Sequence, residues 1–191
     1  MLTGEQELIR RLKGGEGECF AKLYDHYLPQ IYRFVFLKVG NKQEAEDLTH
    51  EVFLSAWQNI ENFNDRGFPF SSWLYRIARN QVIDHYRTKK EAVPLDEVNE
   101  DSFPTALPTQ SVQTVEQRLD QLADLNKVKE AIKQLPEEQQ TIIILRFVED
   151  LKPAEVAAIV NKSDGAIRVI QHRAIKNLKT ILNSQHEPPI I

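Results

Sequence analysis

Glycine and cysteine are scarce in this sequence. Its 191 residues include 7 glycines and one cysteine, Cys19. A single cysteine excludes an internal disulfide, and no glycine-rich phosphate loop is present. Cys19 lies beside Phe20 in a segment with helical apolar spacing, which favours a small buried side chain over a redox site.

Long hydrophobic runs and catalytic constellations are also missing. The longest aliphatic run, Ile142 to Leu145, is far too short to cross a bilayer, and no apolar N-terminal stretch with a basic flank indicates a signal peptide. No Cys–His pair or His-Glu-x-x-His motif occurs, and the five histidines are scattered. We therefore expect a cytoplasmic chain without membrane insertion, catalytic residues, metal site or cofactor, and not an enzyme.

Helical periodicity dominates the rest of the chain and predicts an all-α fold. Segment 91–124 contains eight acids, one arginine and three prolines, so its net charge is −7, whereas the whole chain carries −4. Such a segment buries too little apolar surface to fold by itself. We predict two small helical domains, 1–92 and 121–184, joined by an acidic flexible linker, 93–120, and followed by a tail, 185–191.

The first domain contains an acidic helix over residues 44–60. Its apolar residues share one face of the helical wheel, namely Ala45, Leu48, Val52, Phe53, Ala56 and Ile60. The opposite face carries Glu44, Asp47, Glu51 and Gln58, with Leu54 beside them. This pattern fits a plain amphipathic helix with a solvated acidic side, or a docking surface for a basic partner with Leu54 as an apolar anchor.

Residues 68–90 concentrate aromatics and cations. The segment holds five aromatics and five Lys or Arg residues but one acid, Asp84. On a helical wheel, Arg76, Arg79, Arg87 and Lys90 fall within an arc of about 80°. A basic stripe of this kind suits a nucleic-acid backbone, and aromatic faces beside cations suit unstacked bases.

The aromatic residues of this segment have a second interpretation, because Phe68, Phe70 and Trp73 can instead cap the core. For Trp73 the core is favoured. Ser72 is a candidate N-cap for the helix that follows.

The second domain carries a helix-turn-helix pattern. Pro153 starts a helix to Val160, a polar turn follows, and Ser163 can cap a long basic helix. The apolar stripe of that helix is Ile167, Ile170, Ala174, Leu178 and Ile181, and its outer face presents Gly165, Arg168, Val169, His172 and Lys176, with Arg173 at the edge. Arg168 can form hydrogen bonds with the edge of a guanine base, whereas Lys176 and Lys179 can bind phosphate groups. The alternative is a helical hairpin with a solvated basic face.

These motifs together resemble bacterial sigma factors of the extracytoplasmic-function (ECF) type, which are small two-domain members of the sigma-70 family. The stretch AEDLTHEVFLSAW is similar to region 2.2 of that family, and FSSWLYRIARNQVIDHYR to regions 2.3 and 2.4. LPEEQQTIIILRFVEDLKPAEVAAIV with GAIRVIQHRAIKNL resembles region 4. The chain departs from the family at His50, where glutamine is usual, and at Ile170-Gln171, where many members have Arg-Leu.

The resemblance implies three sites. Contacts with the β′ clamp helices of core RNA polymerase are expected from Asp47, Glu51, Leu54 and Gln58. Recognition and opening of the −10 element are expected from Phe68, Phe70, Arg76, Arg79, Asn80 and Arg87. Recognition of the −35 element is expected from Ser163, Arg168, His172, Arg173 and Lys176. Region 4 as a whole is also expected to contact the β flap.

The implied function is a subunit that directs core RNA polymerase to promoter DNA and is restrained by an anti-sigma factor. Two other classes remain open: a free-standing helix-turn-helix transcriptional regulator and a helical adaptor that binds no DNA. Neither requires the aromatic and basic segment together with the region 2.2 pattern. Co-purification with core polymerase distinguishes the polymerase subunit from the other two classes.

Overall fold

The computed structural model describes residues 2–64, 67–92 and 126–184, and all regular structure in these ranges is helical. The all-α prediction is therefore confirmed. The predicted linker, 93–120, and the tail, 185–191, lie outside the described residues. None of the helices within these ranges combines the length and apolarity needed to cross a membrane.

An N-terminal bundle is formed by α1 (Glu5–Lys13), α2 (Glu18–Val39), α3 (Lys42–Gln58) and α4 (Phe70–Ala92). A 3₁₀ turn, Ile60–Asn62, follows α3. Helix α2 is central because it packs against each of the other three helices. This position explains why its second half buries consecutive residues, Phe34 to Leu37, instead of a single stripe.

Helix α3 has the predicted buried face: five of the six expected core residues are buried on it, and the sixth, Ile60, is buried in the 3₁₀ turn that follows. Its start is set by Asn41, whose side chain accepts a hydrogen bond from the backbone N–H of Glu44 at 3.0 Å. The preceding residue, Gly40, ends α2 with a φ of 77°, a left-handed conformation that glycine adopts without steric cost. The turn therefore fixes the direction in which α3 leaves α2.

The C-terminal bundle comprises α5, described over 126–133, α6 (Glu137–Ile143), a π-helical turn (Ile144–Val148), α7 (Pro153–Val160) and α8 (Asp164–Ser184). Ser163 caps α8 as predicted, because its Oγ accepts from the backbone N–H of Ala166 at 3.2 Å. Asn161 ends α7 with a φ of 55° and begins the tight turn. These features hold α7 and α8 as a helix-turn-helix.

The two bundles pack against each other in this structure. Helix α7 lies on α4, and the π-helical turn lies on α2. Buried apolar residues of both bundles form one continuous cluster. As a result, the surface around the start of α4 faces the C-terminal bundle.

Candidate nucleic-acid interface

The start of α4 lies in an aromatic cluster. Phe70 is 1% exposed, and its ring centroid lies 5.3 Å from that of Phe63, 5.5 Å from Trp73 and 5.8 Å from Tyr27. The expectation that Phe70 offers a ring face to a base does not fit this position, because its faces are covered by other rings. Phe68, in contrast, is 37% exposed.

A cleft of about 450 Å³ opens beside this cluster. Phe68 and Trp73 supply its aromatic surface, and Arg76 supplies a cation. Ser72 is not the N-cap of α4, since the helix begins at Phe70; its Oγ is buried and has no hydrogen-bond partner among the described residues. The full lining is Asn62, Phe63, Asn64, Phe68, Pro69, Ser72, Trp73 and Arg76 from the N-terminal bundle and Ala158 from α7.

The basic stripe of α4 is only partly accessible. Arg76, Asn80 and Arg87 are exposed, and Arg87 pairs with Asp84 at 3.1 Å. Arg79 is half-buried, and its Nε is enclosed without a hydrogen-bond partner in the described part of the chain. The side chain of Lys90 lies outside the described residues.

The acidic face of α3 is exposed at Asp47, Glu51 and Gln58, and Leu54 beside them is 57% exposed. Trp57, which the sequence did not single out, is exposed on the same helix.

Glu44 does not belong to this open acidic face, because α4 covers it. It accepts hydrogen bonds from Lys89 at 2.7 Å and faces His85 at 3.1 Å. Burial raises the pKa of Glu44, but Lys89 and His85 outweigh that effect and lower it overall.

Helix α8 presents its predicted outer face to solvent. Arg168, His172, Arg173 and Lys176 are exposed, as is Ser163 at the helix start. Val169, between these cations, is 51% exposed. Arg168 pairs with Asp164 at 3.0 Å, an exposed interaction that costs little to break. The face therefore presents several cations and one apolar side chain on one side of the helix.

Gln171 has a structural role that the sequence did not reveal. It is half-buried, and its Oε1 accepts from Nε of Arg146 at 3.1 Å. Arg146 also donates to the backbone carbonyl of Leu151. The pair ties α8 to the π-helical turn before the helix-turn-helix.

Glu149 connects the two bundles. Its side chain, 1% exposed, accepts from Nε of Arg33 at 2.8 Å, from Nη2 of Arg33 at 2.7 Å and from the hydroxyl of Tyr75 at 2.7 Å. The hydrogen bond to Glu149 raises the pKa of Arg33, and burial together with Glu149 raises the pKa of Tyr75. We call this arrangement the Glu149 clamp. No local sequence pattern indicates it, since its partners are distant in the chain.

Lys38 forms a second polar contact between the bundles. Its ammonium group, on α2, donates to Oγ1 of Thr141 at 3.1 Å and lies 3.6 Å from a carboxylate oxygen of Glu137. Burial lowers the pKa of Lys38 from the usual 10.5 to about 8; Glu137 opposes this change and Arg79 adds to it.

No group of three or more His, Cys, Asp or Glu side chains in the described ranges is arranged to hold a metal ion.

The sequence matches two family models that correspond to the two bundles. Residues 23–92 match Sigma-70 region 2, and residues 131–180 match Sigma-70, region 4. The ECF RNA polymerase sigma factor SigW of Bacillus subtilis (strain 168) is 33% identical over 174 residues, which cover 90% of this chain and 92% of SigW. The chain belongs to the ECF RNA polymerase sigma factors.

Another ECF sigma factor, BldN of Streptomyces coelicolor, is 36% identical over 178 residues. The match covers 92% of this chain and 65% of BldN, so the chain spans somewhat less than two thirds of that relative.

Two solved structures share the fold. The structure of CnrH in complex with the cytosolic domain of CnrY matches with a TM-score of 0.70 at 20% identity, over 95% of this chain and 98% of that one. The sigma factor RpoE of Bartonella quintana, in complex with the anti-sigma factor NepR, matches with a TM-score of 0.67 at 22% identity, over 86% and 96%. At these identities the likeness concerns the fold alone.

Proposed function

We propose that this ECF sigma factor directs core RNA polymerase to specific promoters and helps to open the −10 element. Residues 1–92 bind the polymerase and the −10 element, residues 93–120 form an acidic tether, and residues 121–184 read the −35 element. The chain acts in the cytoplasm, where polymerase and promoter meet. Membership of the ECF family supports the role in transcription initiation. The exposed surfaces of α3, α4 and α8 support the assignment of core binding, −10 binding and −35 binding to these three helices, respectively.

The cleft at the start of α4 is the single observation that carries the proposal furthest. An unstacked base requires an aromatic face and polar edges, and the cleft supplies Phe68 and Trp73 beside the exposed side chain of Asn64. Arg76 and Asn80 are exposed on α4 beyond the cleft. Their side chains provide hydrogen-bond donors for the phosphate backbone of the DNA strand whose base enters the cleft. Capture of bases in such a cleft offsets the stacking energy lost when the duplex opens.

Helix α8 is proposed to read the −35 element in duplex form. Ser163 and the first turn of the helix approach the DNA backbone, and Arg168 reaches a base edge. Exposed Val169 offers an apolar contact of the kind that recognises a thymine methyl group. Arg173 and Lys176 face the phosphates, with His172 between them.

The acidic face of α3 is proposed to dock on the β′ clamp helices, through Asp47, Glu51 and Gln58 around the exposed side chain of Leu54. An apolar anchor with charged neighbours is a common arrangement in protein interfaces. The C-terminal bundle contacts the β flap.

An anti-sigma factor is the second proposed protein partner. Two solved structures that share this fold were obtained as complexes, one with the cytosolic domain of CnrY and one with the anti-sigma factor NepR. We propose that a protein of that class restrains this chain.

Reconstitution with core polymerase tests the proposed function. We expect the purified chain to associate with core enzyme and to produce specific transcripts from promoters selected out of a randomised library, with −35 and −10 sequences recovered together. A free-standing regulator would instead bind DNA without polymerase and support no transcription by core enzyme. That result would overturn the proposal.

A further inference from the structure

Helix α1 contacts both ends of the loop that borders the cleft. This loop, 63–69, connects the 3₁₀ turn to α4, and its residues 65 and 66 lie outside the described residues. Helix α1 also precedes the segment that matches Sigma-70 region 2, which begins at residue 23. Two charged side chains of α1 make the contacts, one at each end of the loop.

Glu5 holds the end of the loop where α4 begins. Its carboxylate is buried; one oxygen accepts from the hydroxyl of Tyr27, and the other accepts from the backbone N–H of Phe70 at 3.3 Å. Phe70 is the first residue of α4, so its N–H has no partner within the helix. Glu5 therefore caps α4 from another helix, and its negative charge is favourable at that end of the helix dipole.

Lys13 holds the other end of the loop. Its ammonium group donates to the backbone carbonyl of Phe63 and to that of Glu61 at 3.4 Å. It also lies 5.8 Å from the centroid of the Phe63 ring. Phe63 lines the cleft and packs against Trp73 at 5.3 Å between ring centroids. By fixing Phe63, Lys13 therefore also restricts the positions of the aromatic side chains that line the cleft.

We propose that α1 is a brace that sets the shape of the base-receiving cleft, with Glu5 and Lys13 as its positioning residues. The inference rests on the proposed function of the cleft in capturing a −10 base. Neither side chain touches the base; Lys13 fixes the backbone at Phe63 and Glu5 fixes it at Phe70, so that Asn64 and Phe68 near these two points are held in a single arrangement before DNA arrives.

Core packing alone does not account for Glu5. A buried carboxylate loses its hydration, and an apolar side chain of similar size would serve a core contact at lower cost. Ile9 and Leu12 already provide the apolar contacts of α1. The two oxygens of Glu5 instead accept from two buried donors, one of which is the backbone N–H at the start of α4, the helix proposed to contact the −10 element.

The test compares Glu5→Gln and Lys13→Met with matched control variants at exposed positions of α1, Glu7→Gln and Arg11→Met. In holoenzyme, we expect each brace variant to open a duplex promoter about tenfold less well, the loss expected when one charge-assisted hydrogen bond is weakened. 2-Aminopurine fluorescence in the −10 element reports opening. Lys13→Arg should restore opening, because arginine still donates to the carbonyl groups.

Base discrimination provides the second measurement. On a promoter mismatched across the −10 element, the brace variants should discriminate less well between the preferred base and a substituted base at the position that enters the cleft. Core binding and −35 binding should match wild type. A merely structural role would lower every activity in parallel with the melting temperature and leave discrimination intact, which would overturn the brace.

Phe68→Ala and Asn64→Ala separate this inference from the proposed function. If these variants impair opening while Glu5→Gln and Lys13→Met do not, the brace is wrong and the cleft stands. If Phe68→Ala and Asn64→Ala open the promoter normally, the base-receiving role of the cleft fails, and the brace fails with it.

Discussion

Phe68 and Phe70 are two residues apart, yet their rings lie in different surroundings. Phe68 is on the rim of the cleft, whereas Phe70 is enclosed by Tyr27, Phe63 and Trp73. A base can therefore reach the ring of Phe68 but not that of Phe70 in this arrangement. The two residues should respond differently to truncation.

Phe68→Ala should impair opening of a duplex promoter with little change in thermal stability, because the ring is exposed. Permanganate reactivity of unpaired thymines measures opening, and a promoter already mismatched across the −10 element should restore much of the activity. Phe70→Ala should instead lower the free energy of unfolding by about 3–5 kcal/mol, as expected for a buried aromatic. Normal duplex opening by Phe68→Ala would exclude the stacking role.

On α8, replacing the residue proposed to recognise a base should have a different effect on DNA binding from replacing the residue proposed to bind phosphate. Arg168→Ala should reduce discrimination among −35 variants by about 1–3 kcal/mol, if its side chain makes one bidentate base contact. Lys176→Ala should weaken binding to all sequences alike and reduce the salt dependence by about one unit of slope. Fluorescence anisotropy across a salt series measures both effects. Uniform loss in both variants would contradict the proposed orientation of α8 in the groove.

Helix α3 has one buried face and one open face. Its apolar face is buried against α2 and α4, and Asp47, Glu51 and Leu54 lie on the side that no described residue covers. Changes on the open side should therefore alter binding without altering the fold.

The double variant Asp47→Lys and Glu51→Lys should weaken association with core polymerase and leave the melting temperature nearly unchanged. The same reversal at Glu7 and Glu16, two exposed acids of the N-terminal segment, is the control for net charge. Biolayer interferometry against immobilised core enzyme gives the affinities. Equal affinity for wild type and the α3 variant would exclude docking through this face.

Sequence reasoning succeeded where the information is local. The apolar spacing of α3 and α8 predicted their buried faces because a helix repeats every 3.6 residues. The cap at Ser163 was predicted because the side chain bonds to a backbone group three residues away.

Sequence reasoning failed where distant residues decide the structure. The start of α4 was placed near Ser72, but Phe70 is buried and its backbone N–H donates to the carboxylate of Glu5, which allows the helix to begin at Phe70. Glu44 was assigned to the open acidic face, although α4 supplies Lys89 and His85 to it. The Glu149 clamp joins residues 116 positions apart, a separation that no periodicity encodes.

Across the whole molecule, polar contacts hold the bundles at the surface proposed for DNA binding. Glu149 is satisfied by Arg33 and Tyr75, and Lys38 contacts Thr141 and Glu137. Arg79, expected to reach the DNA backbone, is half-buried near Lys38 in this arrangement. If this surface binds the −10 element as proposed, the bundles have to separate before Arg79 is fully accessible.

Glu149→Ala should shift the molecule toward an open arrangement. The change leaves the buried Tyr75 hydroxyl without its acceptor, whereas Arg33, whose side chain is 41% exposed, can turn to water, so the cost is about 1–3 kcal/mol and falls on the contact between the bundles. Small-angle X-ray scattering should show a larger radius of gyration. Asp150→Asn is the matched control, since Asp150 is exposed and has a φ of 52°, which asparagine tolerates. An unchanged scattering profile for Glu149→Ala would contradict the clamp.

Closure should also depend on pH through Lys38. Its pKa is about 8 in the closed structure and returns toward 10.5 when the side chain reaches water, so between these values the open state binds more protons. Closure is therefore favoured as pH rises through this window and disfavoured below it. Arg79 and Glu137 are the charged groups that face Lys38.

Energy transfer between dyes on the two bundles, measured from pH 7 to 10, tests this dependence. Lys38→Met should flatten it. The same pH response in wild type and Lys38→Met would assign the effect to another group.

Ala158 of α7 stands in the wall of a cleft otherwise built by the N-terminal bundle. The C-terminal bundle therefore covers one side of the space proposed to receive a base. If a DNA strand enters the cleft only after the bundles separate, and the closed form outweighs the open form about a hundredfold, the apparent affinity of the cleft for single-stranded DNA falls by about the same factor. Linkage is reciprocal, so any partner that binds only the open form raises that affinity, and DNA in the cleft strengthens the hold of that partner by an equal factor. Promoter selectivity would then be a property of the complex with polymerase. The isolated chain would bind single-stranded DNA weakly, and the cleft would become accessible only when polymerase holds the two bundles apart.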